Sequence, residues 1–339
     1  MKVLFLTNIP SPYRVAFFNE LGKQAELTVL FEKTRSAVRD ASWAEYSFVH
    51  FTGIFLRGRA VAANTSICPE VRRFLDRSWD HIICADAATP TGMLAIQTMK
   101  NRRIPYWIEG DGGFAKSGVG FREKAKKHFY SGAKGYFSTG AAHDLYNLSY
   151  GADPAKLYRY PFTSLHAADI LKDVPSYEEK TRLRSELDMA EENIVLFVGQ
   201  MIPRKGIDIL IEAAVRFEHV GFFLIGGAPT EEYAQLCESL RVRNVHFVAF
   251  QHPMELEKYY RAADLFVLPT REDIWGLVIN EAMAKGLPVI STDRCGAALE
   301  LIEDGANGYV VPVGDVDALT EAIRKTLASD RQKMGMRSL

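Results

Sequence analysis

Short apolar runs rich in β-branched residues alternate with helix-like stretches along the whole sequence, and this alternation restricts the fold more than any other feature. In the first half the apolar runs are 3–7, 27–31, 81–85, 106–109 and 135–138, with helical patterns at 13–23, 90–100 and 141–150. In the second half the runs are 194–199, 221–226, 245–250, 264–269 and 288–292, with helical patterns at 206–217, 230–240, 254–262, 276–285 and 316–327. Strands that alternate with helices pair in parallel, and parallel sheets need helices on both faces to bury them. The pattern restarts after a polar connector, 161–192, which carries a helix-like piece of its own at 177–187. A chain of 339 residues is long enough for two domains. The expected architecture is α/β: two doubly wound parallel-sheet domains, 1–164 and 165–339, facing each other across a cleft. Ligands of such sheets bind beyond the carboxyl ends of the strands, so the loops that follow strands are where chemistry is expected.

Two stretches of the second half meet that condition. The first, Gly199-Gln200-Met201-Ile202-Pro203-Arg204-Lys205-Gly206, lies between an apolar run and a helical pattern. Two fixed cations beside the free N–H groups of a helix start suit a diphosphate: Arg offers a planar fork and Lys a point charge. An Arg-Lys pair alone reads more readily as two solvated loop cations. The second stretch, Thr270-Arg271-Glu272-Asp273-Ile274-Trp275-Gly276-Leu277-Val278, again joins a run to a helix, and Glu281 follows within that helix. A loop carboxylate can accept from sugar hydroxyls, and Glu281 can accept from both hydroxyls of a ribose. The N–H groups near Gly276, Leu277 and Val278 point at a second anion position. Capping of the helix would also explain Asp273, but not the large Trp275 and the Gly276 beside it.

Together, in this order and spacing, the two stretches resemble the donor motifs of the family 4 retaining glycosyltransferases, which have two Rossmann-like domains in the arrangement called GT-B. The resemblance covers nearly the whole chain and is densest in the second half. It implies that Arg204 and Lys205 hold the diphosphate of a nucleotide-sugar donor, UDP before GDP, and stabilise charge on the leaving group without a metal. It assigns the donor sugar to the first of a pair of acids with seven residues between them and the ribose to the second, here Asp273 and Glu281. The family usually has Glu at the first position. Here Asp273 is preceded by Glu272, and either can reach the sugar. Gly199, Gln200, Gly227 and Phe250 fall on the donor side of the same motifs, as do Trp275, Gly276, Leu277 and Val278. Two rival readings are a non-catalytic subunit that binds nucleotide sugar and a nucleotide-sugar epimerase on the same two-domain plan. The family usually carries one more helix that returns to the first domain. This sequence ends at Leu339, shortly after the last helical pattern.

In the first half, Ser11 reads as a helix cap with Pro12 at the first helical position. That leaves Tyr13 and Arg14 to face the acceptor. The segment Glu109-Gly110-Asp111-Gly112-Gly113 follows a strand and crowds glycines around two carboxylates. Many members of the family have a functional His near Asp111, and the Glu-x-Asp-Gly-Gly pattern resembles a branch associated with bacterial exopolysaccharide or capsule assembly. The residues expected to carry catalysis are Arg204, Lys205, Asp273, Asp111 and Glu109, with a glycan or lipid-linked acceptor on the side of Tyr13 and Arg14.

Composition narrows the alternatives. Cys68, Cys84, Cys237 and Cys295 are far apart and form no CxxC or Cys/His cluster, which argues for a reducing compartment and against a zinc site. No metal and no other cofactor is expected. No run approaches the roughly 18 apolar residues of a membrane-spanning helix, and the start of the chain reads as a buried strand and not as a signal peptide. Residues 1–164 carry 22 Lys and Arg against 14 Asp and Glu, and residues 165–339 carry 19 against 28. The basic half, and the basic and aromatic stretch 121–130 within it, suit either a solvated surface or peripheral contact with an anionic membrane at the cytoplasmic face. Nucleic acid is not expected: the net charge is −1 and no binding motif occurs. Asp315 and Asp317 have metal-pair spacing but stand where a helix begins, so capping is the expected role. There is no GxGxxG after the first run and no Walker loop, which removes support for dinucleotide oxidoreductases and P-loop enzymes.

Overall fold

The computed structural model describes residues 1–34, 47–62, 65–85, 87–115 and 120–339, and these divide into two units, Met1–Ser164 and Leu165–Leu339. In chain order the first unit contains β1 (Lys2–Thr7), α1 (Pro12–Gly22), β2 (Glu26–Phe31), β3 (Thr52–Phe55), β4 (Arg59–Ala62), β5 (Thr65–Ile67), β6 (His81–Cys84), α2 (Pro90–Arg102), β7 (Trp107–Glu109), α3 (Phe121–Tyr130), β8 (Gly135–Ser138), α4 (Ala141–Ser149) and β9 (Leu157–Arg159). Among the described residues seven strands form one parallel sheet, ordered β3-β2-β1-β6-β7-β8-β9, and β4 and β5 form a small hairpin.

The continuous apolar run of β1 has a simple cause. Leu4 and Leu6 point into one core, with Ile96 and Met99 of α2, while Val3 and Phe5 point into the other, with Val15 and Phe18 of α1. A strand buried on both faces has no solvent side to alternate with. The strands absent from the sequence pattern are the edges of the sheet. β3 is only half-buried and β9 is mostly exposed, so neither needs an apolar run. Ser11 does occupy the cap position of α1 with Pro12 next to it, but its side chain makes no capping hydrogen bond, a correction to the expected role.

The second unit contains α5 (Tyr177–Glu186), β10 (Asn193–Val198), α6 (Ile207–Ala214), β11 (Val220–Ile225), α7 (Glu231–Ser239), β12 (Val245–Val248), α8 (Pro253–Ala262), β13 (Leu265–Leu268), α9 (Leu277–Ala284), β14 (Val289–Thr292), α10 (Gly296–Leu301), β15 (Gly308–Val311), α11 (Val316–Ala328) and α12 (Arg331–Ser338). Its parallel sheet runs β12-β11-β10-β13-β14-β15. The chain winds outward from β10 in one direction and from β13 in the other, so the switch point lies between these two strands. The edge strand β15 and the last helix α12 were not legible in the sequence. α12 packs back on its own unit: Met334 is buried, Gly335 lies against the backbone of Gly286, and Ser338 donates to the Leu287 carbonyl at 2.8 Å. The segment after Ser164 also docks here, with Leu171 N–H donating to Ala284 O at 2.9 Å and Lys285 donating to Asp169 O at 2.8 Å. Asp315 caps α11 through the Ala318 N–H at 2.8 Å.

Candidate donor site and its counterpart in the first unit

The loops that leave β10 and β13 flank the switch point, and backbone contacts join them. Gly206 has φ +70°, and a Cβ there would lie 2.0 Å from the Pro269 carbonyl oxygen, so only glycine permits this approach. Beside it, the carbonyl of Arg204 accepts from Thr270 Oγ1 at 2.9 Å and from the Arg271 N–H at 2.8 Å. Arg271 in turn forks onto Asp208 of α6 at 2.8 and 2.5 Å. The result is a braced pair of loops, with Arg204 and Lys205 on a single 3-10 turn.

Asp273 sits between the two cations. Its Oδ2 is 2.5 Å from Lys205 Nζ and its Oδ1 is 3.7 Å from Arg204. Lys205 is largely buried, whereas the Arg204 side chain is 46% exposed and donates through Nη1 to the Glu272 carbonyl at 2.7 Å. Asp273 is not the helix cap that local reasoning allowed: the cap position of α9 is Gly276, at φ +98°. The neighbouring Glu272 points elsewhere, its Oε2 accepting from Arg294 at 3.0 Å. Asp273, not Glu272, is therefore the acid at the cation pair.

Trp275 shapes the turn. Its ring is 5% exposed, its Nε1 donates to Asn280 Oδ1 at 2.9 Å, and its carbonyl accepts from the Ala297 N–H and the Cys295 thiol. Leu277 and Val278 form the half-buried first turn of α9, and Glu281 follows one turn later, accepting from the Tyr260 hydroxyl at 3.0 Å. On the other side of β10, the strand ends stack. Gly199 N–H donates to Ile225 O, and the N–H groups of Gly226 and Gly227 both reach Val248 O. Gln200 is exposed beyond them, and Phe250 is 49% exposed after β12 with its ring against His252.

The candidates of the first unit form one buried cluster. Arg14, on the first turn of α1, forks onto Glu109 at 2.9 Å to each oxygen and also pairs with Asp111. Tyr13 donates to the second oxygen of Asp111 at 3.1 Å, and Tyr160 donates to Glu109. Arg14 is therefore not free to face a ligand, as the cap reading had left it. It is 5% exposed and shared between two acids. Burial opposes its charge, but Glu109 and Asp111 hold its pKa well above the ordinary value. Glu109 is 4% exposed with both oxygens occupied, which makes it the anchor of Arg14. Asp111 is the more accessible acid, and burial raises its carboxyl above the usual range despite Arg14. Under this loop lies His143, whose ring would be 3.0 Å from a Cβ on Gly110. Burial pushes His143 down to about 4.

Residues 179–338 match the family described as glycosyl transferases group 1. The C-terminal unit belongs to that family. A relative from Mycolicibacterium smegmatis, a GDP-mannose-dependent α-(1-6)-phosphatidylinositol monomannoside mannosyltransferase, is 33% identical over 175 residues, which are 48% of this chain and 46% of the relative. The lipopolysaccharide glucosyltransferase WaaG of Escherichia coli is 29% identical over 169 residues, 48% of this chain and 44% of that protein. These matches thus span about half the length of the curated relatives or less. Solved structures extend the likeness to both units. Anabaena HepE in complex with UDP and glucose superposes with a TM-score of 0.74 at 18% identity, covering 99% of this chain and 92% of that one. Sucrose-phosphate synthase from Thermosynechococcus elongatus does so with a TM-score of 0.73 at 20% identity, covering 99% and 92%. The fold of the chain is GT-B.

Within the group 1 glycosyl transferase unit, Arg294, Thr270 and Tyr260 escaped sequence reasoning. Arg294 follows β14 just as Arg204 follows β10, so the strand-end rule applied to one more loop would have found it. Tyr260 offered no such signal, since it lies inside a helix. The basic and aromatic stretch on α3 resolves into packing for the most part. Tyr130 is buried, Phe129 packs on the core, and Lys126 lies 5.5 and 4.9 Å from the ring centroids of Tyr146 and Tyr150. Lys124 and Lys127 remain exposed. No helix of the described residues is long and apolar enough to cross a membrane.

Proposed function

We propose that this chain is a retaining glycosyltransferase that moves a sugar from a nucleoside diphosphate carrier to a glycan or lipid-linked acceptor in bacterial surface polysaccharide synthesis. The observation that carries the reading is the Arg204 and Lys205 pair, set on one turn at the switch point and bridged by Asp273. Cations fixed before the reaction stabilise the charge that develops on a departing diphosphate at no cost of reorganisation, which is work a metal performs in other enzymes. Asp273 holds Lys205 in place and presents its carboxylate where hydroxyls of the donor sugar can donate. Glu281, one turn into α9, receives the ribose. The departing phosphate takes the proton of the acceptor hydroxyl, so no separate protein base is required. In the first unit Asp111 and Tyr13 face the transferred sugar or the acceptor, held by Arg14 and Glu109. HepE was solved with UDP, and the mycobacterial relative is named for GDP-mannose; UDP is the first choice here and GDP the second.

Thermal unfolding with UDP, GDP, ADP and their sugars tests the donor site. A ligand that binds only the folded state stabilises it by about 2.7 kcal/mol at 100 times its dissociation constant. One nucleotide class should raise the midpoint in the wild type and fail to do so in Arg204→Ala. Transfer by Arg204→Ala should fall more than tenfold; a smaller loss in a transfer assay would refute the role given to this side chain.

A further inference from the structure

Four partly or largely buried acids of the C-terminal unit each have a cationic partner. Asp264 accepts from Lys180 at 3.1 Å, from Arg184 at 2.6 Å and from the Ile194 N–H at 2.9 Å. Asp208 has Arg271, Glu272 has Arg294 and Asp273 has Lys205. Among the described residues Glu281 has no such partner: burial pushes its carboxyl above the usual range, and the Tyr260 hydroxyl works the other way. A withdrawn carboxylate without a cation costs stability, and groups of that kind concentrate at binding sites. The hydrogen bond it accepts from Tyr260 is therefore informative.

That bond comes from a rigid donor. Tyr260 is 3% exposed near the end of α8, and its ring lies 5.9 Å from that of Phe266 on β13. Burial and the charge of Glu281 raise the phenol well above its ordinary pKa, so it remains a donor at every working pH. The hydroxyl takes Glu281 Oε2 at 3.0 Å. The structure gives Oε1 no hydrogen bond among the described residues. A carboxylate clamped by one oxygen can turn about neither its Cγ–Cδ bond nor the bonds before it without losing that contact.

We infer that Tyr260 is a positioning residue that fixes Glu281 so that the remaining acceptor capacity of its carboxylate selects a nucleotide with ribose hydroxyls over one without them. The inference rests on the donor-site reading and adds to it a residue and a selectivity. An ordered acceptor discriminates strongly against an analogue that lacks the donor, because its own polar group is then left unpaired. Tyr260 acts through Glu281 and touches no ligand itself, so its effect belongs to the ribose and not to the base or the diphosphate.

The test is titration calorimetry of the wild type, Tyr260→Phe, Glu281→Gln and the double variant with UDP, GDP and their 2′,3′-dideoxy forms. Tyr260→Phe removes one oxygen and keeps the ring on Phe266. The wild type should prefer the ribose form of whichever diphosphate binds. Tyr260→Phe should shrink that preference at least fivefold and leave affinity for the dideoxy form unchanged, and it should add nothing once Glu281→Gln is present. An unchanged preference, or equal weakening of both forms, overturns the inference and leaves the donor site standing; unchanged dideoxy affinity also certifies that the variant is folded. If Tyr260→Phe does not fold, Glu281→Gln decides: a preference that survives the loss of the carboxylate charge and acceptor oxygen overturns the inference, and one that collapses supports it. No binding of either diphosphate by the wild type overturns the donor-site reading and this inference together.

Discussion

Arg204 and Arg14 show what a single residue's surroundings decide. Both stand just after a strand end, yet Arg204 is half-exposed beside one acid while Arg14 is enclosed between two. The first is left half open to solvent; the second is enclosed, holding Glu109 and Asp111. His143 makes the same point for titration. Burial depresses it to about 4 from an ordinary 6.5, so between those values the unfolded chain binds a proton that the folded one refuses. Stability is then full above about pH 6.5 and falls as pH drops toward about 4, by roughly 1.4 kcal/mol per pH unit for one proton. Urea unfolding from pH 7 to 4 should show this slope in the wild type, and His143→Gln should reduce it by one proton.

Among the elements, the two loops at the switch point work as one. Their junction is Gly206, where a side chain would meet the Pro269 carbonyl and where φ is positive. Gly206→Ala should therefore lower the thermal midpoint, on the order of 1–3 kcal/mol from the strained backbone, and separate Arg204 from Asp273. The diagnostic result is a combined loss: a lower midpoint and no further stabilisation by nucleotide. A variant that melts early but still gains the full nucleotide shift would show that the junction serves the fold alone. The helix starts differ in the same spirit. Asp315 caps α11 through its side chain, while α9 begins at Gly276, which leaves Asp273 for Lys205.

For the molecule as a whole, the pairs described around the β10 and β13 loops are made within residues 165–339. Lys205 meets Asp273, Tyr260 meets Glu281, and the connector and α12 dock on the same unit. Residues 165–339 expressed alone should fold and bind the same nucleoside diphosphate as the full chain with affinity within about threefold, while transferring no sugar. Calorimetry on the isolated unit checks the first part and a transfer assay the second. A unit that folds but ignores nucleotide would mean that the donor needs residues of the first unit as well.

The sequence by itself determined the α/β class, nine interior strands with the edge strand β12, and the two loops at the switch point of the second unit. It could do so because a strand buried on both faces must be apolar throughout, and because Gly, Pro and paired cations leave local marks. Edge strands β3, β9 and β15 left no such mark, since each is partly open to solvent and β9 mostly so. The sequence also left Glu272 and Asp273 equivalent, gave Arg14 to the acceptor, and was silent on Tyr260. Those questions depend on partners 22, 95 and 21 residues away along the chain. Only the packing of one strand end or helix against another decides which charge meets which, and that distance in sequence carries no periodicity to read.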